Sequence, residues 1–351
     1  MADFVNYELW DTHTTLGVYS ELDAPKTYWL DLLFGRSFVS DSEAIDFAKI
    51  PRNGRKLAPF ILPMAQGRPI YDRAVQAASF KPAYVKPSDP VSPTRALQLP
   101  PGKALSPADM TPMARYEAVK ADIIQTHKTA VTRREEWMAA QAVIYGQVIV
   151  DGPDYPATVV NFGRDAGNTI VLGSGARWGD AGVSITDSLQ SMVDLAHNAR
   201  FGGAVNRVTM GLDAWAKARK DAGFLDRMDI NIVGSETRLE RGLLPGGEAR
   251  YVGTIDGLLD VWVYNDWYLD DSGAVQPFMS PKDVVLTGPN ADGVRAYGMI
   301  LDVHAEFKSL PVFVRNYIPQ NDVAIEQIVT QSAPLPVVVN PNATVRATVV
   351  A

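Results

Sequence analysis

Residues 111–146 read TPMARYEAVKADIIQTHKTAVTRREEWMAAQAVIYG, and this stretch decides the fold. Tyr116, Val119, Ile123, His127, Ala130/Val131, Arg134, Trp137/Met138, Gln141 and Ile144/Tyr145 recur at steps of three and four. That spacing is one stripe of an amphipathic helix. Asp109 or Thr111 can cap its start, Pro112 suits its first turn, and Gly146 ends it. The expected helix covers 107–146. At 1.5 Å per residue, roughly 35 unbroken residues make about 50 Å of helix, which is long for a globular core and fits a spine running across a subunit.

Downstream of the spine the pattern changes to strands. Gln147–Val150, Ala157–Phe162 and Asn168–Leu172 alternate between turns built on Asp151-Gly152-Pro153 and Asp165-Ala166-Gly167. Helices are expected at Thr186–Ala199 and Leu212–Lys220. Further strands are expected at Arg207–Met210, Val252–Ile255, Val261–Tyr264 and Asp283–Leu286, so 185–310 reads as a mixed α/β unit. The tail offers strands at Glu326–Thr330, Val337–Val339 and Thr344–Val350, with Pro334, Pro336 and Pro341 read as turns between them. No internal repeat is present.

Upstream lie two segments of opposite charge. Residues 1–48 carry Lys26 and Arg36 against nine acids, a net charge of −7. They read as an extended arm with scattered aromatics, and Trp29 to Gly35 can make one or two helical turns. Residues 49–103 carry ten cations against Asp72 and Asp89, a net charge of +8. Half of the 24 prolines fall between Pro51 and Pro112, which excludes long helices and central strands. Leu57–Leu62 and Arg68–Val75 remain as β-like pieces of a projecting two-stranded loop, a size that implies function or a partner. Residues 104–351 are acidic again at −8, and the whole chain of 351 residues carries −7.

The absence of cysteine excludes disulfides, cysteine-held zinc, iron–sulfur clusters and thiol catalysis. No apolar run reaches the roughly 20 residues that span a bilayer, and MADFVNYELWDTH lacks the marks of a signal peptide. A cytosolic origin is the expectation. Catalytic motifs fail on spacing. There is no GxxxxGK[ST] loop, Gly173-Ser174-Gly175 lacks a third glycine because residue 178 is Trp, and Leu172 spoils a nucleophile elbow at Ser174. His13, His127, His197 and His304 show no metal spacing. His304 with Glu306 on one strand face reads as a cross-strand pair, and Asp270-Asp271-Ser272-Gly273 as a hairpin turn rather than a calcium loop. Asp256 and Asp260 have no acid–base context. Asn342-Ala343-Thr344 is a sequon without meaning in a cytosolic chain. Ten cations interleaved with Phe60, Tyr71, Phe80 and Tyr84 could suit nucleic acid, but an acidic body repels a polyanion. An acidic protein surface, such as the arm of another copy, is the more economical partner.

Four strings then carry a resemblance. They are Phe80-Lys81-Pro82-Ala83-Tyr84-Val85-Lys86-Pro87, Asn161-Phe162-Gly163-Arg164 followed by Trp178, Gly293-Val294-Arg295-Ala296-Tyr297-Gly298, and Thr330-Gln331-Ser332-Ala333-Pro334-Leu335. In order and rough spacing the chain resembles the major capsid (head) proteins of lambda-like tailed phages over residues 30–351. The first 28 residues and the 224–250 loop have no counterpart. The resemblance implies an α+β fold of the tailed-phage and herpesvirus-floor type, also called the Hong Kong phage type. Its expected parts are an N-terminal arm (1–48), an extended loop (49–103), a peripheral domain with the spine helix (104–184 and 311–351) and an axial domain (185–310).

The implied function is self-assembly of hexamers and pentamers into an icosahedral head shell around double-stranded DNA, with no enzymatic activity and no cofactor. Implied partners are further copies, a decoration protein at three-fold positions, and portal and scaffold during assembly. The implied location is the virion after synthesis in the host cytoplasm. Expected contacts between subunits are Arg52, Arg55, Lys56, Arg68 and Arg73 toward acidic surfaces, Trp10, Trp29, Phe34 and Phe60 through apolar burial, and Tyr84 and Lys86 besides. Two alternatives remain at this point, an encapsulin-type cargo shell and a cytosolic α/β enzyme with an unrecognised site.

Overall fold

A computed structural model describes residues 9–42, 44–49, 76–97, 111–152, 155–199, 202–229, 249–270, 272–305, 310–319 and 325–351. Its helices are α1 (Thr12–Glu21), α2 (Trp29–Leu33), α3 (Pro93–Leu97), α4 (Pro112–Tyr145), α5 (Ile185–Asn198), α6 (Leu212–Ala218) and α7 (Ala222–Arg227).

The spine is α4, 34 residues long and so about 51 Å. The Thr111 side chain accepts from the Ala114 N–H, Pro112 fills the first turn, and the Gly146 N–H returns to the Ala142 carbonyl. Gly146 is left-handed at φ 69°, and a Cβ there would stand 2.8 Å from Arg164. Only glycine fits both the conformation and the space. The buried stripe departs from the sequence reading at Lys120, which is buried although off the stripe, and again at residues 134–136. Arg134 is exposed while Glu135 and Glu136 are buried.

Among the described residues, three sheets of three or more strands pack around this helix, beside the two-stranded ribbon Gln147–Gly152/Tyr155–Asn161. The first joins Arg36–Val39, Gly293–Tyr297 and Pro334–Val338 in that order. Pro334 and Pro336 therefore lie inside a strand, a correction to their reading as turns. Pro334–Val338 is an edge strand, where a missing N–H costs no ladder bond. The second sheet is mixed and has seven strands. Its order is Thr169–Val171, Val345–Thr348, Asp283–Thr287, Arg207–Met210, Leu259–Tyr264, Ala249–Ile255 and Met228–Asp229. The third joins Phe313–Tyr317, Gln327–Gln331 and Ser88–Pro90.

Trp29, Phe34, Val143, Ile144 and Leu335 share one core with the first sheet, and α5 to α7 share another with the second. The sheets do not respect the expected boundaries at 184/185 and 310/311. Strands 169–171 and 345–348 join the sheet of 207–287, whereas Gly293–Tyr297 joins the spine layer. Pairing of β-branched runs over long separations set these partners, and that is not written in local periodicity.

The arm also differs from its expectation. Asp11 caps α1 by accepting from the Thr14 N–H at 2.8 Å. The helix contains Gly17 and β-branched residues, so propensity alone does not declare it. It forms against α4 and the strand Phe313–Tyr317. His304 lies in a short 3-10 turn, Val303–Ala305, not on a strand, and Glu306 falls outside the described residues. The turn expected at 270–273 is observed between Trp267–Leu269 and Val275–Pro277, with Asp270 accepting from the Ser272 and Ala274 amides.

Candidate assembly surfaces

The arm runs alongside the spine and is fastened to it by polar groups. Near the N-terminal end of α4, the Lys120 ammonium lies 4.0 Å from the Trp10 ring centroid and 3.8 Å from a Glu326 carboxylate oxygen. Two turns on, Lys128 donates to the Tyr19 carbonyl in the last turn of α1 and to the carbonyl of Leu22, the residue that caps that helix. A cation at a helix C-terminus satisfies acceptors that the helix cannot. Gln125 adds a bond to the Asp23 carbonyl at 2.8 Å.

Farther along, Glu136 accepts from the Tyr28, Trp29 and Leu30 amides at 3.0, 2.8 and 3.0 Å. Tyr28 offers α2 no side-chain cap, and the spine supplies it. Burial pushes the Glu136 carboxyl up to about 7, while the three amides pull it down. Its neighbour Glu135 is also pushed up to about 7 by burial, opposed by the Tyr297 hydroxyl at 3.3 Å and by Arg295.

The base of the extended loop is a second construction. Strands Ile45–Lys49 and Gln76–Phe80 pair antiparallel, with Ile45 opposite Phe80 and Lys49 opposite Gln76. After this ribbon the chain is locked onto the body. Pro82 fills the space over Gly298, where a Cβ would stand 2.5 Å from it. The Tyr84 hydroxyl donates to the Met299 carbonyl and accepts from the Leu301 amide. Val85 and Ser332 bridge by two backbone bonds of 2.8 and 3.0 Å. His127 on the spine then joins Asp89 and Thr330, each at 3.0 Å. That triplet has the connectivity of a hydrolytic triad, but Thr330 is fully buried, so no substrate reaches it and the group is a strut.

Three of the four strings singled out in the sequence, 80–87, 293–298 and 330–335, thus meet at one junction. The fourth closes the other end of the spine. Arg164 donates to the Val143 and Ile144 carbonyls at 3.0 and 2.8 Å and to Thr169 at 2.9 Å. Burial, then Arg346, lowers its guanidinium to about 10. Asn342 of the sequon is buried and exchanges bonds with Asp165 at 2.8 and 2.7 Å.

The sequence-predicted contact residues fall into three groups. Trp29 and Phe34 are fully buried in their own chain. They are core residues and not contacts between copies, because α2 docks on α4 of the same chain. Trp10 and Tyr84 are half-buried on the body, and Lys86 is exposed. Arg52, Arg55, Lys56, Phe60, Arg68 and Arg73 lie outside the described residues. Sequence reading missed Lys120, Lys128, Glu136 and Arg164 as fasteners. A signal existed for Glu136, a charged pair set among Trp137, Met138, Ala139 and Ala140 on a stripe that should be apolar. Among the described residues, no group of His, Asp and Glu could hold a metal, and no helix is long and apolar enough to cross a membrane.

A long spine, a cis-packed arm and a locked loop base form a subunit frame, and comparison with known sequences identifies it. The pattern of the family described as phage major capsid protein E matches residues 11–349. The chain belongs to that family. Its function is that of a phage major capsid protein, a structural role. The major capsid protein of Escherichia phage lambda is 27% identical over 318 residues, covering 90% of this chain and 91% of that protein. The major capsid protein of Enterobacteria phage P21 is 26% identical over 341 residues, covering 95% and 97%. A crystal structure of a prophage capsid protein from E. coli CFT073 superposes with a TM-score of 0.77 at 22% identity, covering 98% of this chain and 100% of that one. The α+β capsid fold expected from the sequence is the one observed.

Proposed function

We propose that copies of this chain assemble, as hexamers and pentamers, into the closed icosahedral shell of a tailed-phage head around double-stranded DNA. The match of the capsid family over residues 11–349 carries this reading. Its physical support is the anchorage of the extended-loop base, where the ribbon Ile45–Lys49/Gln76–Phe80 is followed by the contacts of Pro82, Tyr84, Val85 and Asp89 with the body. Repeated heterologous contacts made by a loop anchored in this way close into rings. In this reading residues 1–48 are the arm, 49–103 the extended loop, 104–184 with 311–351 mainly peripheral, and 185–310 mainly axial.

Arg52, Arg55, Lys56, Arg68 and Arg73 face acidic surfaces of adjacent copies, and Tyr84 and Lys86 make further contacts between copies. Exposed pairs contribute about 0–1 kcal/mol each, so they set register and on-rate more than affinity. Phe60 and Trp10 add apolar burial. The net-negative subunit lets DNA enter without adhering. Portal and scaffold guide assembly, a decoration protein braces the three-fold positions, and no step requires catalysis or a cofactor. The product is part of the virion after synthesis in the host cytoplasm.

Expression of the full chain followed by negative-stain microscopy tests the reading. Rings, tubes or shells are expected. A monodisperse monomer that stays monomeric with scaffold supplied would overturn it. The triple variant Arg52→Glu/Arg55→Glu/Lys56→Glu tests the charge element, which fails if that variant assembles normally at every salt concentration.

A further inference from the structure

The hairpin Trp267–Leu269/Val275–Pro277 has two unlike faces. Tyr268 points inward, 6.4 Å from Trp137 and 5.2 Å from Phe278 between ring centroids. Its neighbours point outward, because side chains alternate along a strand. Leu269 lies opposite Val275, and Trp267 opposite Pro277. Trp267, Leu269 and Val275 are 50%, 60% and 61% exposed, and Pro277 is exposed as well. Four apolar side chains, one of them tryptophan, share one outward face. Exposed tryptophan on a contiguous apolar patch marks an interface.

The face is also stiff. Arg133 of α4 donates to the Asp266 carboxylate at 2.9 Å and to the Trp267 carbonyl at 2.6 Å. At the other end Asp270 closes the turn by accepting from the Ser272 and Ala274 amides and from Gln276. A preorganised patch loses little entropy when it is covered.

Charge and composition select the occupant. Residues 265–277 carry three aspartates and no cation of their own; Arg133 is paired with Asp266, which leaves Asp270 and Asp271 to make the turn acidic. Residues 50–75 carry Arg52, Arg55, Lys56, Arg68 and Arg73 against Asp72 alone, and hold the apolar run Leu57-Ala58-Pro59-Phe60-Ile61-Leu62 between those cations. The segment has 26 residues between the paired ends Lys49 and Gln76. Out and back at about 3.3 Å per residue, it can reach roughly 40 Å from the ribbon, far enough to cross onto a neighbouring subunit.

We propose that the outward face of hairpin 267–277 is the seat on which the apolar run 57–62 of a second copy docks. The seat rests on the shell-forming reading and adds to it a residue-level address. The apolar groups make the contact, and the flanking cations meet the acidic hairpin.

The lack of cysteine makes the test clean. Leu269→Cys introduces a single thiol, to which a benzophenone-maleimide probe is attached in the full chain. The labelled chain is mixed with ¹⁵N-labelled wild-type chain under assembly conditions and irradiated, and cross-linked peptides are identified by mass spectrometry. Cross-links into residues 50–75 of ¹⁵N chains are expected to dominate. Cross-links to the same copy, to other residues, or none while shells form would overturn the seat. If wild-type chain forms no shells even with scaffold supplied, the shell reading fails by itself, and the same cross-link map on the unassembled mixture decides the seat. A Trp267→Ser/Leu269→Ser variant should keep the wild-type circular dichroism and melting profile while its assembly rate falls at least tenfold. Assembly at the wild-type rate by a folded variant would also overturn the proposal.

Discussion

The two halves of α4 are parts of one helix in different surroundings. In the C-terminal half, Val131, Glu135, Glu136, Met138, Ala139, Ala140, Ala142, Val143 and Ile144 are buried. In the N-terminal half only Lys120, Ile123, Ile124 and His127 are, and two of those four are polar fasteners. The C-terminal half is core, where alanines admit close neighbours and a charge is tolerated only when its bonds are complete. The N-terminal half is a rail on which the arm and the loop base are hung. Changes in the first should act on the whole subunit, whereas changes in the second should act on the attached segment.

The largest effect should come from Glu136→Ala. It removes the acceptor of three buried amides, and each orphaned donor is costly. A loss of about 3–4 kcal/mol in urea unfolding of the unassembled subunit is expected, with faster hydrogen exchange at Tyr28, Trp29 and Leu30. Unchanged exchange there would break the assignment of Glu136 as the cap of α2.

Next comes Glu135, through pH. Its carboxyl is raised by burial from 4.5 to about 7, so the folded chain holds a proton that the unfolded chain releases. The stability from this group is present below pH 4.5 and is lost as pH rises through about 7. Glu135→Gln should remove that loss, gaining roughly 2–3 kcal/mol on wild type between pH 4.5 and 8 in denaturant melts. Parallel pH profiles for the two proteins would contradict the burial argument.

Gly146→Ala should cost about 2 kcal/mol, from the left-handed backbone and the displaced Arg164. A thermal melt would register it as a drop of several degrees. The smallest effect is expected on the rail. Lys128→Ala should cost about 1 kcal/mol, with increased exchange confined to α1. A global change as large as that of Glu136→Ala would erase the distinction between the halves.

These halves also mark how far the sequence could be read. The spine, the helices α5 and α6, and strands such as Arg207–Met210 announce themselves by period and punctuation. The family strings are legible as strings, but their reason is spatial. Gly298 is glycine because Pro82 sits on it, and Gly293 because the Phe34 ring would stand 2.5 Å from any Cβ. No local pattern carries that information. α1 is hidden for a related reason, since its stability comes from α4 and the strand Phe313–Tyr317 rather than from its own residues. Trp29 and Phe34 were visible as apolar groups in need of burial, yet sequence does not say whether the covering surface belongs to the same chain. The tertiary pairing of α2 with Glu136 decides it.

The position of Val345–Thr348 between Thr169–Val171 and Asp283–Thr287 bears on how the subunit is made. Arg346 and Thr348 both bond the fully buried Asp283 carboxylate, each at 2.7 Å. A ribosome must therefore pass residue 348 before the sheet can close. Until then Asp283 faces an open gap, and the strands on either side present bare edges. A chain that stops before residue 345 lacks an interior strand of the seven-stranded sheet, and the Asp283 carboxylate loses both of these partners. The order of translation thus acts as an inspection step, admitting to the growing structure only chains that have been read through residue 348.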